Sequence, residues 1–219
     1  MHAIVCIKQV PDSSEMRINP ETGTLVRTGV PSIINPYDVP ALEAALRLKD
    51  QFGGKVTVLS MGPPFFEQSL KKAIALGADR TILLSDRRMA GSDTYATSYT
   101  LTLGIQKIAA EEPFDIILCG RQTIDGDTAQ VGPGIAARLG IPVLTYVMKI
   151  RSVDFEAREI VVERKLEQAR QVVKAKLPVL LTCEKELNEV RYASLPNLLR
   201  AYRHQITIWS GEDIGAHPD

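Results

Sequence analysis

The sequence is poor in the residues that usually carry metal and acid–base chemistry. It has three cysteines and three histidines in 219 residues. Cys6, Cys119 and Cys183 lie far apart, each inside an apolar run, and no CxxC pair is present. Iron–sulfur ligation and a structural zinc site are therefore disfavoured, and the cysteines read as small buried hydrophobes on strands. His2, His204 and His217 are scattered and near the termini, so they read as solvated surface and not as a catalytic or metal centre. An excess of one charge is also lacking. Lys+Arg and Asp+Glu are both 26, which gives no field to attract nucleic acid or a membrane surface. No apolar run approaches the roughly 20 residues needed to span a bilayer. A strand pattern starts at once with Ala3-Ile4-Val5, leaving no room for a signal peptide or an Arg-rich transit segment. The cytoplasm is the expected location, with a mitochondrial matrix protein that has lost its presequence as the alternative. There is no internal repeat, no nucleophile–base pair and no paired carboxylates.

What is there is 45% apolar residues, enough for an α/β domain with a sizeable core. The first two-thirds alternate strand and helix patterns. Residues 3–10 (AIVCIKQV) form a first apolar run. Asn35, Pro36 and Asp38 then predict a helix start, with Asn as N-cap, Pro at the first helical position and an acid in the first turn. Gly53-Gly54 stops that helix. Residues 55–61 predict a second strand, Gly62-Pro63-Pro64 opens a second helix, and Gly77 closes it. Residues 80–84 predict a third strand, Ser92-Asp93 caps a helix reaching about Ala110, and residues 115–119 (DIILC) predict a fourth strand. A polar turn and a helix ending at Leu139-Gly140 follow. This alternation, with unbroken apolar runs in the strands, predicts a mostly parallel twisted sheet with helices on both faces. Residues 143–150, 159–166 and 171–174 predict a strand meander, and 179–183 another buried strand. From Glu184 the chain turns charged and irregular, with a short helix near 195–201 and a tail to Asp219 without a core pattern. The expected division is a nucleotide-binding α/β domain over 1–183 and a short C-terminal extension over 184–219.

In an open parallel sheet, ligands sit outside the carboxyl ends of the strands where strand order reverses. Four loops fit that description: after the first strand, before the Asn35 helix, after Met61, and after Cys119. The last is the richest, Gly120-Arg121-Gln122-Thr123-Ile124-Asp125-Gly126-Asp127-Thr128-Ala129-Gln130-Val131. It joins a buried strand to a helix N-terminus, where backbone N–H groups and the helix dipole favour an anion, above all phosphate. Gly126 permits close backbone approach. Thr128 and Gln130 can donate to phosphate or ribose oxygens, Arg121 can add charge, and Asp125 and Asp127 can accept from ribose hydroxyls or cap the helix. The loop lacks the Gly-Lys-Ser/Thr of a Walker A motif and is not GxGxxG. An ordinary capped turn remains the plainer reading of the loop by itself.

The order of several segments resembles the beta subunit of electron-transfer flavoproteins. They are Val5-Cys6-Ile7-Lys8-Gln9-Val10, Ile34-Asn35-Pro36-Tyr37-Asp38, residues 70–80, the Gly120–Gly132 loop with its GxQxIDxDxxQ pattern, Lys176-Leu177-Pro178 and residues 187–197. The resemblance implies a Rossmann-like sheet of the adenine nucleotide alpha hydrolase kind. It implies a nucleotide pocket at Cys6, Lys8, Asn35, Pro36, Tyr37, Asp38, Met61 and residues 120–131, the same loops that topology selects. It also implies a recognition loop at Leu195, Pro196 and Asn197, where an exposed apolar side chain anchors in a redox partner such as an acyl-CoA dehydrogenase. The implied obligatory partner is the alpha (large) subunit, which holds the redox flavin. In this family an arm that clasps that subunit continues past the position of Asp219.

The family has two branches. In one, the beta subunit holds structural AMP and the heterodimer is a simple carrier. In the electron-bifurcating branch it holds FAD, which takes hydride from NADH and divides the electrons between the large-subunit flavin and a low-potential acceptor such as ferredoxin. The small residues Gly126, Thr128, Ala129 and Gly132 resemble the bifurcating branch, so FAD is the expected cofactor and AMP the alternative. A stand-alone ATP- or AMP-binding sensor is a further alternative, against which residues 187–197 argue. An adenylate-forming enzyme or pyrophosphatase would need a Ser/Gly-rich loop after the first strand, and Lys8-Gln9-Val10-Pro11 has none. No catalytic residue and no metal ligand is expected.

Overall fold

A computed structural model describes residues 1–12 and 31–217, together with the backbone of two short strands between them. Pro218 and Asp219, the expected end of the tail, lie outside the described residues. The strands are β1 (His2–Cys6), β2 (Gln9–Pro11), β3 (Arg17–Ile18), β4 (Leu25–Val26), β5 (Ser32–Ile34), β6 (Lys55–Met61), β7 (Arg80–Leu84), β8 (Ile116–Gly120), β9 (Val143–Asp154), β10 (Glu159–Lys165), β11 (Arg170–Lys176), β12 (Val179–Cys183) and β13 (Thr207–Trp209). The helices are α1 (Asp38–Phe52), α2 (Glu67–Leu76), α3 (Thr94–Glu111), α4 (Val131–Leu139) and α5 (Leu195–Arg203).

Nine strands form one sheet in the order β11-β10-β9-β12-β8-β1-β6-β7-β13. From β9 through β12, β8, β1, β6 and β7 to β13 every pairing is parallel. The expected meander β9-β10-β11 is antiparallel and extends the same sheet at one edge. Successive side chains of a strand point to opposite faces, and both faces here are covered. Ala3 and Val5 join the cluster with Leu42, Leu46 and Leu70 of α1 and α2. Ile4 and Cys6 join the cluster with Leu101, Ile105 and Ile135 of α3 and α4. This double burial is why the strands read as unbroken apolar runs.

Strand order reverses at β1. The chain leaves β1 through α1 to β6 and then β7 on one side, and returns through α3 to β8 on the other. The crevice outside the carboxyl ends of β1 and β8 is therefore the topological switch point.

Four expectations are corrected. The first run does not continue to Val10: β1 ends at Cys6, and Gln9–Pro11 pairs antiparallel with β5 in a separate ribbon. The Lys8 N–H there is taken by Asp38 and not by a sheet neighbour. Asn35 is not the N-cap of α1, which begins at Asp38 behind Tyr37 without a side-chain cap. The Asn35 amide is spent on the loop after β8. His2 is buried and not solvated, with Nε2 2.9 Å from Thr57 Oγ1. The tail does carry core residues, because β13 pairs with β7 and buries Trp209 and Ile214. The cap at Asp93 is as expected: its Oδ1 accepts from the Ala96 N–H at 2.8 Å. So are the burial of all three cysteines and the bounds of β6, β7 and β12.

Candidate functional site

The segments from β1, α1 and β8 meet at the switch point through one buried carboxylate. Asp38 is 4% exposed. Its Oδ2 accepts the Lys8 N–H at 2.8 Å and its Oδ1 the Gly120 N–H at 2.9 Å. Asp38 thus ties the end of β1 to the end of β8. Burial pushes its pKa up to about 7, against the hydrogen bonds from Lys8, Asn35 and Gly120 that favour the ionised form. Gly120 allows this closeness. A Cβ there would lie 2.4 Å from Asp38 Oδ1 and 2.6 Å from Tyr37 Cβ.

Three further contacts clasp the loop after β8. The Asn35 amide donates to the Gln122 carbonyl at 2.8 Å, and Asn35 Oδ1 accepts the Ile124 N–H at 3.3 Å. Lys8 Nζ meets Asp125 Oδ2 at 2.7 Å. Partial burial raises the Asp125 carboxyl, but the hydrogen bonds from Lys8 and Thr123 and the Lys8 charge together hold it below the usual range. Within the loop the Asp127 N–H donates to the Thr123 carbonyl at 3.0 Å, and Gln122 Nε2 donates to Asp127 Oδ1. Asp127 and Ala129 both have φ of 56°, a left-handed conformation that costs about 1 kcal/mol or more for a residue with a side chain.

Beyond that turn α4 begins at Val131, with Gln130 as N-cap. Thr128 Oγ1 lies 3.5 Å from the Gln130 N–H and accepts from Thr94 at 3.2 Å. The N–H groups of Thr128, Ala129, Val131 and Gly132 meet no acceptor among the described residues. Unpaired donors at a helix start, backed by the helix dipole, are able to receive an anion. Gly126 faces open space; a Cβ would touch only Thr123 Oγ1, at 3.3 Å. Within the stretch from Asp127 to Gln130, Thr128 and Ala129 alone keep an N–H open among the described residues. Asp127 is used inside the turn, and the open donors reach on to Gly132.

Arg121 is held by neighbours that the sequence does not show. Its guanidinium is engaged on every side: Nε with Gln122 Oε1 at 2.8 Å, one terminal nitrogen with Glu184 at 3.0 Å, and the other with the Tyr37 hydroxyl at 3.1 Å. It sits over the rings of Tyr37 and Tyr146. Partial burial lowers its pKa, and the Glu184 hydrogen bond and charge, with Tyr37 and Tyr146, together more than offset this. Glu184 and Tyr146 were not singled out from sequence. Glu184 follows β12 at its carboxyl end, where topology could have flagged it. Tyr146 has φ of 58° and gives its N–H to Thr182 Oγ1, with no sequence signal. Cys6 lies at the end of β1 with a thiol pushed up to about 12 by burial, so it can offer backbone but not a thiolate. Met61 ends β6 and is half-buried against the α3 and α4 cluster. Pro36 lies in the turn before α1.

The second group of singled-out residues lies apart from this loop. Leu195 and Pro196 open α5, and Ser194 caps it by accepting the Asn197 N–H. Leu195 is 69% exposed. It does not pack inward. Leu198, Leu199, Tyr202 and Tyr192 are exposed around it, beside a groove of about 620 Å³ that Lys71, Lys72, Leu76 and Tyr192 help to line.

Comparison with known proteins identifies the framework. Residues 22–213 match the electron transfer flavoprotein domain. The chain is 56% identical over 218 residues to protein FixA of Azorhizobium caulinodans, covering 98% of this chain and 77% of that one. It is 51% identical to the caffeyl-CoA reductase-Etf complex subunit CarD of Acetobacterium woodii, over 100% of this chain and 82% of the relative. It is 50% identical to the electron transfer flavoprotein subunit beta of Clostridium acetobutylicum, over 98% and 80%. No helix among the described residues is long and apolar enough to cross a membrane. The chain belongs to the electron transfer flavoprotein family, as a beta-type subunit.

Proposed function

We propose that this chain holds an adenine nucleotide, FAD, at the loop after β8, and carries electrons as half of a heterodimer with an alpha subunit. The observation that carries this reading is the set of N–H groups of Thr128, Ala129, Val131 and Gly132, unpaired among the described residues, on a loop that four contacts clasp to Lys8, Asn35 and Asp38. A loop so constrained, with two left-handed residues, is pre-organised for a ligand that the chain itself does not supply. Phosphate fits those donors. Asp125 and Asp127, which already accept from Lys8 and Gln122, have lone pairs left to accept from ribose hydroxyls. The open space at Gly126 lets the nucleotide approach the backbone.

Held by residues 120–131 with Lys8, Asn35 and Asp38 behind them, FAD would supply redox chemistry between NADH, the large-subunit flavin and a low-potential acceptor such as ferredoxin. The protein's part is position and electrostatics. The Arg121 cation, held over the rings of Tyr37 and Tyr146, presents positive charge beside the crevice. Three of its five N–H donors are already taken, and its field acts on a ligand without them. Leu195, on the exposed start of α5, is the anchor for a redox enzyme such as an acyl-CoA dehydrogenase.

Counting flavin in the purified heterodimer tests the proposal. Two FAD per heterodimer, with one reduced by NADH, is the expected result. One FAD and one AMP, with no reduction by NADH, would leave a simple carrier. Absence of any flavin-bearing partner would favour a nucleotide sensor.

A further inference from the structure

Residues 188–193 lead from the body of the protein to α5 and have neither helix nor strand. Among the described residues their backbone makes no backbone–backbone hydrogen bond. Side chains decide where this segment runs: Ala193 packs on the core, and the hydrogen bonds and ion pairs come from α1. Glu43 of α1 is 3% exposed. Its Oε2 accepts from Arg191 Nε at 2.8 Å and from the Arg191 N–H at 3.3 Å, and its Oε1 accepts from the other arm of Arg191 at 3.2 Å. Arg47, one turn on, donates to Glu43 Oε1 at 2.8 Å and to the Glu189 carbonyl at 2.8 Å. Asn188 donates to the Pro40 carbonyl at 3.2 Å, and Arg191 reaches Asp50 at 2.7 Å.

A buried carboxylate is costly unless paired, and an apolar contact would hold a segment equally well. What an ion pair of this kind adds is register, because only one arrangement satisfies every donor. The placement gives that register a use. Asp38, which clasps the nucleotide loop, is on the same helix five residues earlier, or roughly 7.5 Å along its axis. One rigid helix therefore carries both the nucleotide clasp and the mount of the exposed α5.

We propose that Glu43 is a positioning residue for partner docking: through Arg191 it fixes the segment that presents Leu195, at a set place relative to the nucleotide loop. The inference rests on the docking role of Leu195 proposed above. Glu43→Gln removes the charge and one acceptor site, and Arg191→Met removes the partner while keeping an unbranched stem. Both are made in the intact heterodimer, with Leu195→Ala in parallel. The readouts are chymotryptic cleavage after the exposed Tyr192, nucleotide content, and turnover with an acyl-CoA dehydrogenase held reduced by its substrate.

Glu43→Gln and Arg191→Met should each speed cleavage and raise the apparent KM for the dehydrogenase by about tenfold. Both should leave kcat and nucleotide content unchanged, and the double variant should do no more than either single one, because the two residues act as one unit. Unchanged cleavage in both single variants would remove the clamp. Faster cleavage with an unchanged KM, while Leu195→Ala raises KM, would show that docking does not need this register. If Leu195→Ala leaves KM unchanged as well, the docking reading itself has failed.

Discussion

Gly120 and Gly126 lie in one loop, and the structure assigns them opposite kinds of constraint. At Gly120 an added Cβ would lie 2.4 Å from Asp38 Oδ1, 2.6 Å from Tyr37 Cβ and 2.7 Å from the Tyr37 carbonyl carbon. The Tyr37 contacts are main-chain or next to it, so they cannot swing away. To reach ordinary contact at about 3.4 Å, the start of α1 must move by about 1 Å from β8. Overpacking of that kind costs about 1–3 kcal/mol. The same movement stretches the bond from the Gly120 N–H to the Asp38 carboxylate, a bond to a charged group, for about 1.5–3 kcal/mol more. The two overlap, so Gly120→Ala should cost roughly 3–5 kcal/mol. In a domain of this size that is a fall in Tm of roughly 6–20 °C. Gly126→Val should behave otherwise, because the only near atom is Thr123 Oγ1 at 3.3 Å. Its Tm without nucleotide should stay within about 2 °C of the parent, while bound nucleotide disappears because the side chain fills the approach to the backbone. The assay is thermal unfolding of nucleotide-stripped protein, paired with release and chromatography of bound nucleotide. A Gly120→Ala protein as stable as the parent, or a Gly126→Val protein with full nucleotide content, would refute the reasoning at that position.

Other perturbations follow from the same geometry. Leu195→Ala should weaken docking of a dehydrogenase by about 2 kcal/mol, roughly thirtyfold in affinity, with Tm and cofactor content unchanged. A fall in Tm without a kinetic effect would mean a packing role. Asp38 has a folded pKa raised to about 7 from 3.8, so its contribution to stability is present at low pH and is lost as pH rises between those values. Urea titrations should show that slope in the parent and not in Asp38→Asn. Protonation also removes one of the two acceptor positions that hold Lys8 and Gly120, so nucleotide affinity should fall by roughly tenfold as pH drops from 8 to 6. A flat affinity profile would count against the clasp. The three cysteines are buried, and burial raises each thiol's pKa. A thiol reagent should count none in the native protein and three in denaturant. Rapid labelling of any one would contradict the packing.

Much of the fold was legible because local signals and burial agree. β6, β7, β12 and the Asp93 cap were read from runs and caps that need no tertiary information. What was not legible depends on partners distant in sequence. The split of the first run at Cys6 arises because Asp38, thirty residues away, takes the Lys8 N–H. The place of β12 between β8 and β9 is fixed by pairing across the sheet, and a buried run does not announce its neighbours. β13 hides for a related reason. It is three residues long and at an edge, so only Trp209 of its three residues is buried, too little to form a pattern.

The site shows the same division one level higher. Sequence identified the loops, because topology places them at strand ends and because glycine and short polar residues mark them. It did not identify what each side chain does there, since a charged residue in a loop has no stated partner. Arg121 read as a charge beside the loop, and Glu184 and Tyr37 hold it; Asp38 read as a first-turn acid, which it is, and it is also the buried hub of the loop. Both additions have the same physical origin. A strongly polar group in a crevice between strand ends is desolvated, and a desolvated donor or acceptor must find a partner within the protein. The groups left over for a ligand are then those that cannot be satisfied internally. Among the described residues of this loop they are the backbone N–H groups of Thr128, Ala129, Val131 and Gly132, which a sequence does not display, because every residue but proline has one.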